Sequence, residues 1–363
     1  MKLVNALNPY ALAMAVRRKL YESGQLNAHK LDIPVISIGN LTMGGTGKTP
    51  TAMLLTRYIN QHHEMKVAIV MRGYKRESSG YQLVSEGNGP LLEVKQSGDE
   101  AYLLAEELLG TIVVVDENRV RGGEEAKKVG AEVILLDDGY QHMSIHRDVN
   151  LLVVNVEQPP GAVLPFGASR EDTDAARGAD FLLLTSATDE EKSNAIAREL
   201  SIAKGVNIPY ARVRSVANGL GSLDPAIRDL ESLTLLQGKR VLAVSSIANP
   251  ERFVNLLAQH GAEVELDDLG DHASYDHERL HRILNRAERL NADMIVTTAK
   301  DAVKSRQLFF NSASTLPIYV LAHGFEFLSG ERALLDLIDG LLTPEEPQTT
   351  QSNPEHYAAE DRT

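Results

Sequence analysis

The chain has 363 residues, of which 43% are apolar and 24% charged. That is the composition of an ordinary globular protein of about two domains, and it excludes a collagen, a coiled-coil rod and a wholly disordered chain. The absence of cysteine excludes disulfide scaffolds, Cys-ligated zinc or iron–sulfur sites and thiol nucleophiles. A net charge of −13 argues against a nucleic-acid coat, so no nucleic-acid partner is expected.

In chain order, residues 1–30 come first and are basic against this acidic background, with Lys2, Arg17, Arg18, Lys19 and Lys30 facing only Glu22. Asn8 is placed as an N-cap with Pro9 at the first helical position, and Gly24 stops the helix. Leu12, Val16 and Leu20 recur every four residues and form one apolar stripe. Two readings stand: a helix docked on the protein, its basic end matched to the helix dipole, or an interfacial helix laid on anionic lipid. No run reaches the ~18 apolar residues of a membrane span. A cleavable signal fits poorly, because the basic cluster follows the apolar stretch 10–16 instead of preceding it.

Short β-branched runs then alternate with glycine-bearing turns and helical stretches. The first series is 33–38, 66–71, 111–115, 133–136, 149–156 and 181–185; the second is 240–245, 263–267, 294–297 and 318–322. Strands apolar on both faces and alternating with helices predict a parallel α/β sheet flanked by helices. The expected division is an amino-terminal helix (1–30), a phosphate-binding core (31–217), a smaller α/β lobe (218–342) and a disordered tail (343–363). The hinge is expected in the polar stretch Ser215 to Ser232.

The strongest local signal is Gly39-Asn40-Leu41-Thr42-Met43-Gly44-Gly45-Thr46-Gly47-Lys48-Thr49-Pro50, between a strand and a helical stretch. Glycines let backbone N–H groups turn toward phosphate oxygens, and the helix N-terminus adds positive potential. Lys48 is placed on the β- and γ-phosphates and the Thr49 hydroxyl on magnesium. In the strict P-loop pattern the first glycine falls on Thr42. The double glycine is like that of MinD-like P-loop proteins, but Met43 stands where those carry a lysine. A dinucleotide fold is excluded because Pro50 replaces the last glycine of its fingerprint. The run 133–136 ends in Asp137-Asp138, the acids such a loop needs at the edge of a neighbouring strand. Guanine is unsupported, since Lys300 and Asp301 are adjacent where guanine readers have a spacer; adenine is expected.

The remaining polar clusters are Arg72-Gly73-Tyr74, Ser97-Gly98-Asp99-Glu100, Asp137-Asp138-Gly139-Tyr140-Gln141-His142, Ser169-Arg170-Glu171, Asp271-His272 and Thr297 to Lys304. Taken in this order with the loop, they resemble the tetraacyldisaccharide 4'-kinase family, from the amino-terminal helix to about residue 340. The resemblance implies a P-loop kinase with a second, smaller lobe joined by a hinge and its amino-terminal helix at the membrane. It implies phosphoryl transfer from ATP, with Mg2+, to the 4'-hydroxyl of a lipid A disaccharide precursor, at the cytoplasmic face of the bacterial inner membrane. By the same resemblance, residues 42–49 bind nucleotide, Asp99 is the general base and His272 partners it. Asp137, Asp138 and Glu171 group around metal and phosphates, and Arg72, Tyr74, Glu100 and Arg119 occupy other active-site positions. The chain departs from the family pattern at Ala101, Ala299, Asn155 and the stretch 158–167. A monomer is expected; the rival function is a MinD-like switch ATPase that dimerises at the membrane.

Simpler roles stand beside these. Asp99 could cap the helix that begins at Glu100, and His272 the helix after Tyr275. His142 and His146 could form a metal pair, and Asp138 could orient the loop without touching magnesium.

Overall fold

The computed structural model describes residues 8–312 and 314–343; the tail expected from 343 lies almost wholly outside them. The elements, in order, are α1 (Pro9–Glu22), β1 (Val35–Gly39), α2 (Lys48–His62), β2 (Val67–Met71), β3 (Gln82–Glu86), α3 (Val94–Ser97), α4 (Asp99–Glu107), β4 (Ile112–Val115), α5 (Arg119–Lys128) and β5 (Val133–Asp137). They continue with β6 (Val149–Asn155), β7 (Phe181–Thr185), α6 (Glu190–Lys204), β8 (Tyr210–Ser222), β9 (Arg240–Ser245), α7 (Pro250–Ala258) and β10 (Glu263–Asp268). The last are α8 (His277–Arg289), β11 (Met294–Thr297), α9 (Ala299–Phe310), β12 (Ile318–Ser329) and α10 (Glu331–Leu342).

The helix expected at the amino terminus forms as its sequence dictates. The Asn8 side chain accepts from the N–H groups of Tyr10 and Ala11, Pro9 opens the first turn, and Gly24 follows the end with φ 72°. Its buried positions are Ala11 and Arg18, whereas Leu12 is 59% and Val16 49% exposed. The apolar stripe therefore faces outward and does not dock the helix on the protein.

All twelve strands join one sheet in the order β10-β9-β11-β12-β8-β7-β6-β1-β5-β2-β4-β3. Strands β1, β2, β4, β5 and β7 are buried at every position, so they need helices on both faces, as a parallel sheet does. On one face, Leu55 and Ile59 of α2 and Leu104 of α4 meet the core of β1, β2 and β4. The other face is covered by Ala126 of α5 and by Ile196 and Leu200 of α6. In the second lobe, α7 packs on one face and α8 with α9 on the other.

Three features differ from the sequence expectation. The supposed hinge stretch begins inside a strand: residues 215–222 belong to β8, which pairs antiparallel with β12 from Arg212↔Ser329 to Ser222↔Tyr319. Arg212, Arg214, Asn218 and two glycines interrupt its apolar pattern, which hides it in the sequence. Strand β3, short and half polar, is the sheet's edge and pairs antiparallel with β4. Helix α10, expected in the smaller lobe, returns to the first: Leu334, Ile338 and Leu342 lie in the same core as α2.

The β8–β12 pairing decides where a ligand can sit. β8 runs parallel to β7, and β11, β9 and β10 run parallel to β12. The two parallel sets therefore point at each other, and their carboxyl edges, where ligands bind in open α/β sheets, face one cleft.

At the floor of that cleft, Gly39 ends β1 against Tyr140. A Cβ there would lie 2.5 Å from the Tyr140 Cβ and 2.7 Å from its backbone nitrogen. Gly39→Ala should therefore destabilise the protein by about 1–3 kcal/mol, the usual penalty of overpacking, read as a lowered midpoint in urea unfolding.

Candidate active site

Residues 40–47 leave β1 at the carboxyl edge and lead straight into α2. Gly44 and Gly47 have φ of 99° and 100°, left-handed backbone that a side chain would strain. Nothing lies within 4 Å of where a Cβ on Gly44 or Gly45 would stand, so the space over the turn is open. The loop's underside is fixed: Asn40 Nδ2 donates to Thr46 Oγ1 at 3.0 Å, Thr185 Oγ1 donates to the Thr46 carbonyl at 2.8 Å, and Thr42 pairs with Ser169. Met43 is 52% exposed. Lys48 opens α2 with Nζ 3.5 Å from Asp138 Oδ1, and Thr49 follows it in the first turn.

Strand β5 lies beside β1, with Asp137 level with Ile38. Asp137 is 2% exposed and its Oδ1 has no hydrogen-bond partner. Burial, reinforced by the charge of Glu100, pushes its pKa up to about 7. A buried carboxylate oxygen without a partner, next to the loop lysine, fits a cation bound between the two strands' ends. Asp138 differs. Arg170 Nη1 donates to both its oxygens at 2.8 Å. Burial pushes its pKa up, but Lys48 and Arg170 outweigh that and hold it below the usual carboxylate range.

Glu171 is not free to join a metal group. Its carboxylate accepts from Arg18 Nε and Nη2 of α1 at 2.8–3.0 Å, and the pair is buried. No cluster of three or more His, Asp or Glu among the described residues is arranged to hold a metal. Burial pushes His142 down to about 4, and His146 faces Asp148 at 3.5 Å.

Asp99 is the first residue of α4, and the N-cap position is held by Gly98. Its Oδ1 accepts the N–H of Glu100 at 2.9 Å, and its Oδ2 lies 2.9 Å from His272 Nδ1 of the second lobe. His272 does not cap α8, since Asp276 does. The histidine sits in left-handed backbone, φ 57°, with its N–H on the Ser246 carbonyl and its ring edge-on to Tyr74 at 5.2 Å. Burial pushes the Asp99 pKa up, but the hydrogen bond with His272 and the charges of Lys300, His272 and Lys304 outweigh it and hold it below the usual range.

Sequence reasoning missed the second lobe's cations. Lys300 pairs with Glu100, Lys304 Nζ lies 3.9 Å from Asp99, and Arg306 grips Glu106. These join α9 to α4 across the cleft. The four-residue spacing of Lys300 and Lys304 and the acids Asp99, Glu100 and Glu106 were the available signal. Asp301, which stands where a guanine reader would have its spacer, is buried and accepts from Ser246 N and Thr298 Oγ1, so it anchors α9. Arg119 is buried with Nη1 on the Asp116 carbonyl at 2.6 Å; burial lowers its pKa to about 10 against the pull of Asp138 and Asp137. Arg72 and Tyr74 are exposed at the cleft's mouth. Of the departures, Asn155 ends β6 and its Oδ1 takes the N–H of Glu157, and Ala101 is fully buried in the α4 core.

The family model for tetraacyldisaccharide-1-P 4'-kinase matches residues 3–343. The chain belongs to that family. A tetraacyldisaccharide 4'-kinase of Syntrophotalea carbinolica is 38% identical over 301 residues, 81% of this chain and 80% of that protein. One of Desulfotalea psychrophila is 36% identical over 315 residues, 85% and 88% of the two chains. The "apo" form crystal structure of LpxK from Aquifex aeolicus in complex with ATP superposes with a TM-score of 0.70 at 27% identity, covering 92% of this chain and 96% of that one. Membership in this family favours kinase chemistry over the switch-ATPase reading.

The depressed Asp99 carboxyl has a consequence for stability. Because its folded pKa lies below its unfolded value of about 4, the stabilisation is fully present above that pH and is lost as pH falls through the folded value. Wild type should therefore be more stable than Asp99→Asn near neutrality, with the gap closing as pH drops below about 4. Unfolding midpoints against pH test this; a gap constant with pH refutes it.

Proposed function

We propose that this chain transfers the γ-phosphoryl group of ATP to the 4'-hydroxyl of a tetraacylated glucosamine disaccharide 1-phosphate, with Asp99 and His272 as its base. The observation that carries this reading is the 2.9 Å contact between Asp99 and His272, made between lobes at the rim of a phosphate loop. Phosphoryl transfer needs positioning, charge neutralisation and a proton acceptor. Lys48 and the turn 44–47 hold the phosphates. The 4'-oxygen attacks the γ-phosphorus, the bond to the β–γ bridging oxygen breaks, and ADP leaves with that electron pair. The hydroxyl proton passes to the Asp99–His272 pair.

Asp99 is kept ionised by its cationic neighbours and is therefore ready to accept. Since its partner sits on the other lobe, the pair is complete only with the lobes together, which limits wasteful transfer to water. Mg2+ would be held by Asp137 and Thr49, and when bound supplies charge neutralisation at the phosphates. Asp138 orients Lys48 and Arg170.

The acceptor is a lipid, and the outward stripe of α1 suits it. Tyr10, Leu12 and Val16 are exposed, and Phe166, two residues after Leu164, is 66% exposed; Asn8 Nδ2 ties the helix to that loop through the Leu164 carbonyl at 2.7 Å. With Arg17 and Lys19 nearby, this surface suits an anionic bilayer. No helix among the described residues is long and apolar enough to cross a membrane. The use of ATP and of a lipid acceptor supports peripheral attachment at the cytoplasmic face of the inner membrane, as a monomer.

The test is ATP-dependent phosphorylation of a tetraacyl disaccharide 1-phosphate in detergent micelles. Asp99→Ala should lower kcat by about 10²–10⁴-fold, the range for loss of a general base, with ATP binding kept. Asp137→Asn should need more Mg2+ to reach half-maximal rate. Wild type that binds ATP yet leaves this lipid unphosphorylated overturns the reading.

A further inference from the structure

Helix α1 carries a buried charge that a membrane anchor does not require. Arg18 lies on the face turned away from Leu12 and Val16 and is 7% exposed. Its guanidinium makes a two-pronged pair with Glu171 and lies over the Tyr140 ring at 5.4 Å. The segment that Arg18 grips is the one that holds the phosphate loop. Ser169 pairs with Thr42, the Arg170 N–H donates to the Leu41 carbonyl at 2.7 Å, and the Arg170 side chain holds Asp138 beside Lys48.

A second line runs parallel to it. Arg17 Nη1 donates to the Gln141 carbonyl at 2.9 Å, Gln141 Nε2 donates to the Asn40 carbonyl at 2.9 Å, and Asn40 holds Thr46. Both the entry of the loop and its lysine are thus braced by segments that consecutive arginines of α1 hold.

We propose that α1 positions the phosphate loop, with Arg18 and Glu171 as positioning residues, so that seating of the helix sets nucleotide affinity. The physical reason is the cost of an unpaired buried charge. Truncating one partner of such a pair is strongly unfavourable, so 169–171 and α1 adopt their places together or not at all. Two-pronged guanidinium–carboxylate bonds also fix orientation, which a point charge would not. Glu171 on this account serves the phosphates through Arg170 and not through a metal. A helix that leaves the protein surface would release Arg170 from Asp138 and loosen Lys48; one pressed on by a bilayer would hold them. The inference rests on the ATP-kinase reading above.

The experiment measures binding of a non-hydrolysable ATP analogue to the full chain in detergent, without acceptor lipid, beside KM for ATP and for acceptor. Arg18→Gln and Glu171→Gln should each weaken analogue binding about tenfold, the double variant little more than either, and Arg18→Lys should recover only part. Arg17→Ala, at a half-buried position, should weaken it less with an unchanged melting temperature. If Arg18→Gln or Glu171→Gln fails to fold, Arg17→Ala decides on the same readout. Analogue binding equal to wild type in the folded variants, with only the acceptor KM raised, overturns the proposal and leaves α1 as an anchor. Wild type that fails to bind the analogue overturns the kinase reading itself, a result distinguishable from the first.

Discussion

Where β12 pairs antiparallel with β8, every strand beyond it runs opposite to the first parallel set, and the cleft follows from that reversal. Had the two sets run the same way, their carboxyl edges would lie along one rim, and a residue of the second set could not face Asp99. Pointed at each other, the edges bring His272, Lys300 and Lys304 against Asp99 and Glu100. The same two strands are the only part of the sheet shared by both lobes.

Charge placement in the cleft obeys the cost of burial. Glu106, Asp99 and Glu100 on α4 meet Arg306, Lys304 and Lys300 on α9, so opposite charges pair across the cleft. On the far side, Asp138, Arg170, Glu171 and Arg18 take up one another's charge from the loop to the amino-terminal helix. Asp137 stands outside both networks, with one buried oxygen unmatched. Native proteins leave few such groups, and they concentrate where a ligand completes the shell.

Much of this was legible along the chain because the signals are local. The loop 39–50 needs its glycines within a few residues, and the buried strands of the parallel core are short apolar runs ended by turns. The cap at Asn8 and Pro9 reads off two adjacent residues. What stayed hidden is long-range or mixed in pattern. β8 has no clean alternation because its middle faces the cleft and its ends face two different cores. Helix α10 reads as part of the second lobe because sequence order cannot show a chain crossing back. The pairing of Glu171 with Arg18 stayed hidden because the two are far apart in sequence and Arg18 belongs to a helix whose Leu12 and Val16 face outward.

By itself, the sequence determined the parallel α/β core, the glycine-rich turn before Lys48, the acids at the end of β5 and the family to which these belong. Each depends on residues close in the chain, where backbone preference and period act directly. Only the tertiary structure decided that Asp99 meets His272 instead of capping α4, that α1 turns its apolar stripe outward, and that Glu171 answers a buried arginine. Those choices depend on which strand pairs with which and on which charge finds a partner before it is buried, and neither is written in any local stretch of residues.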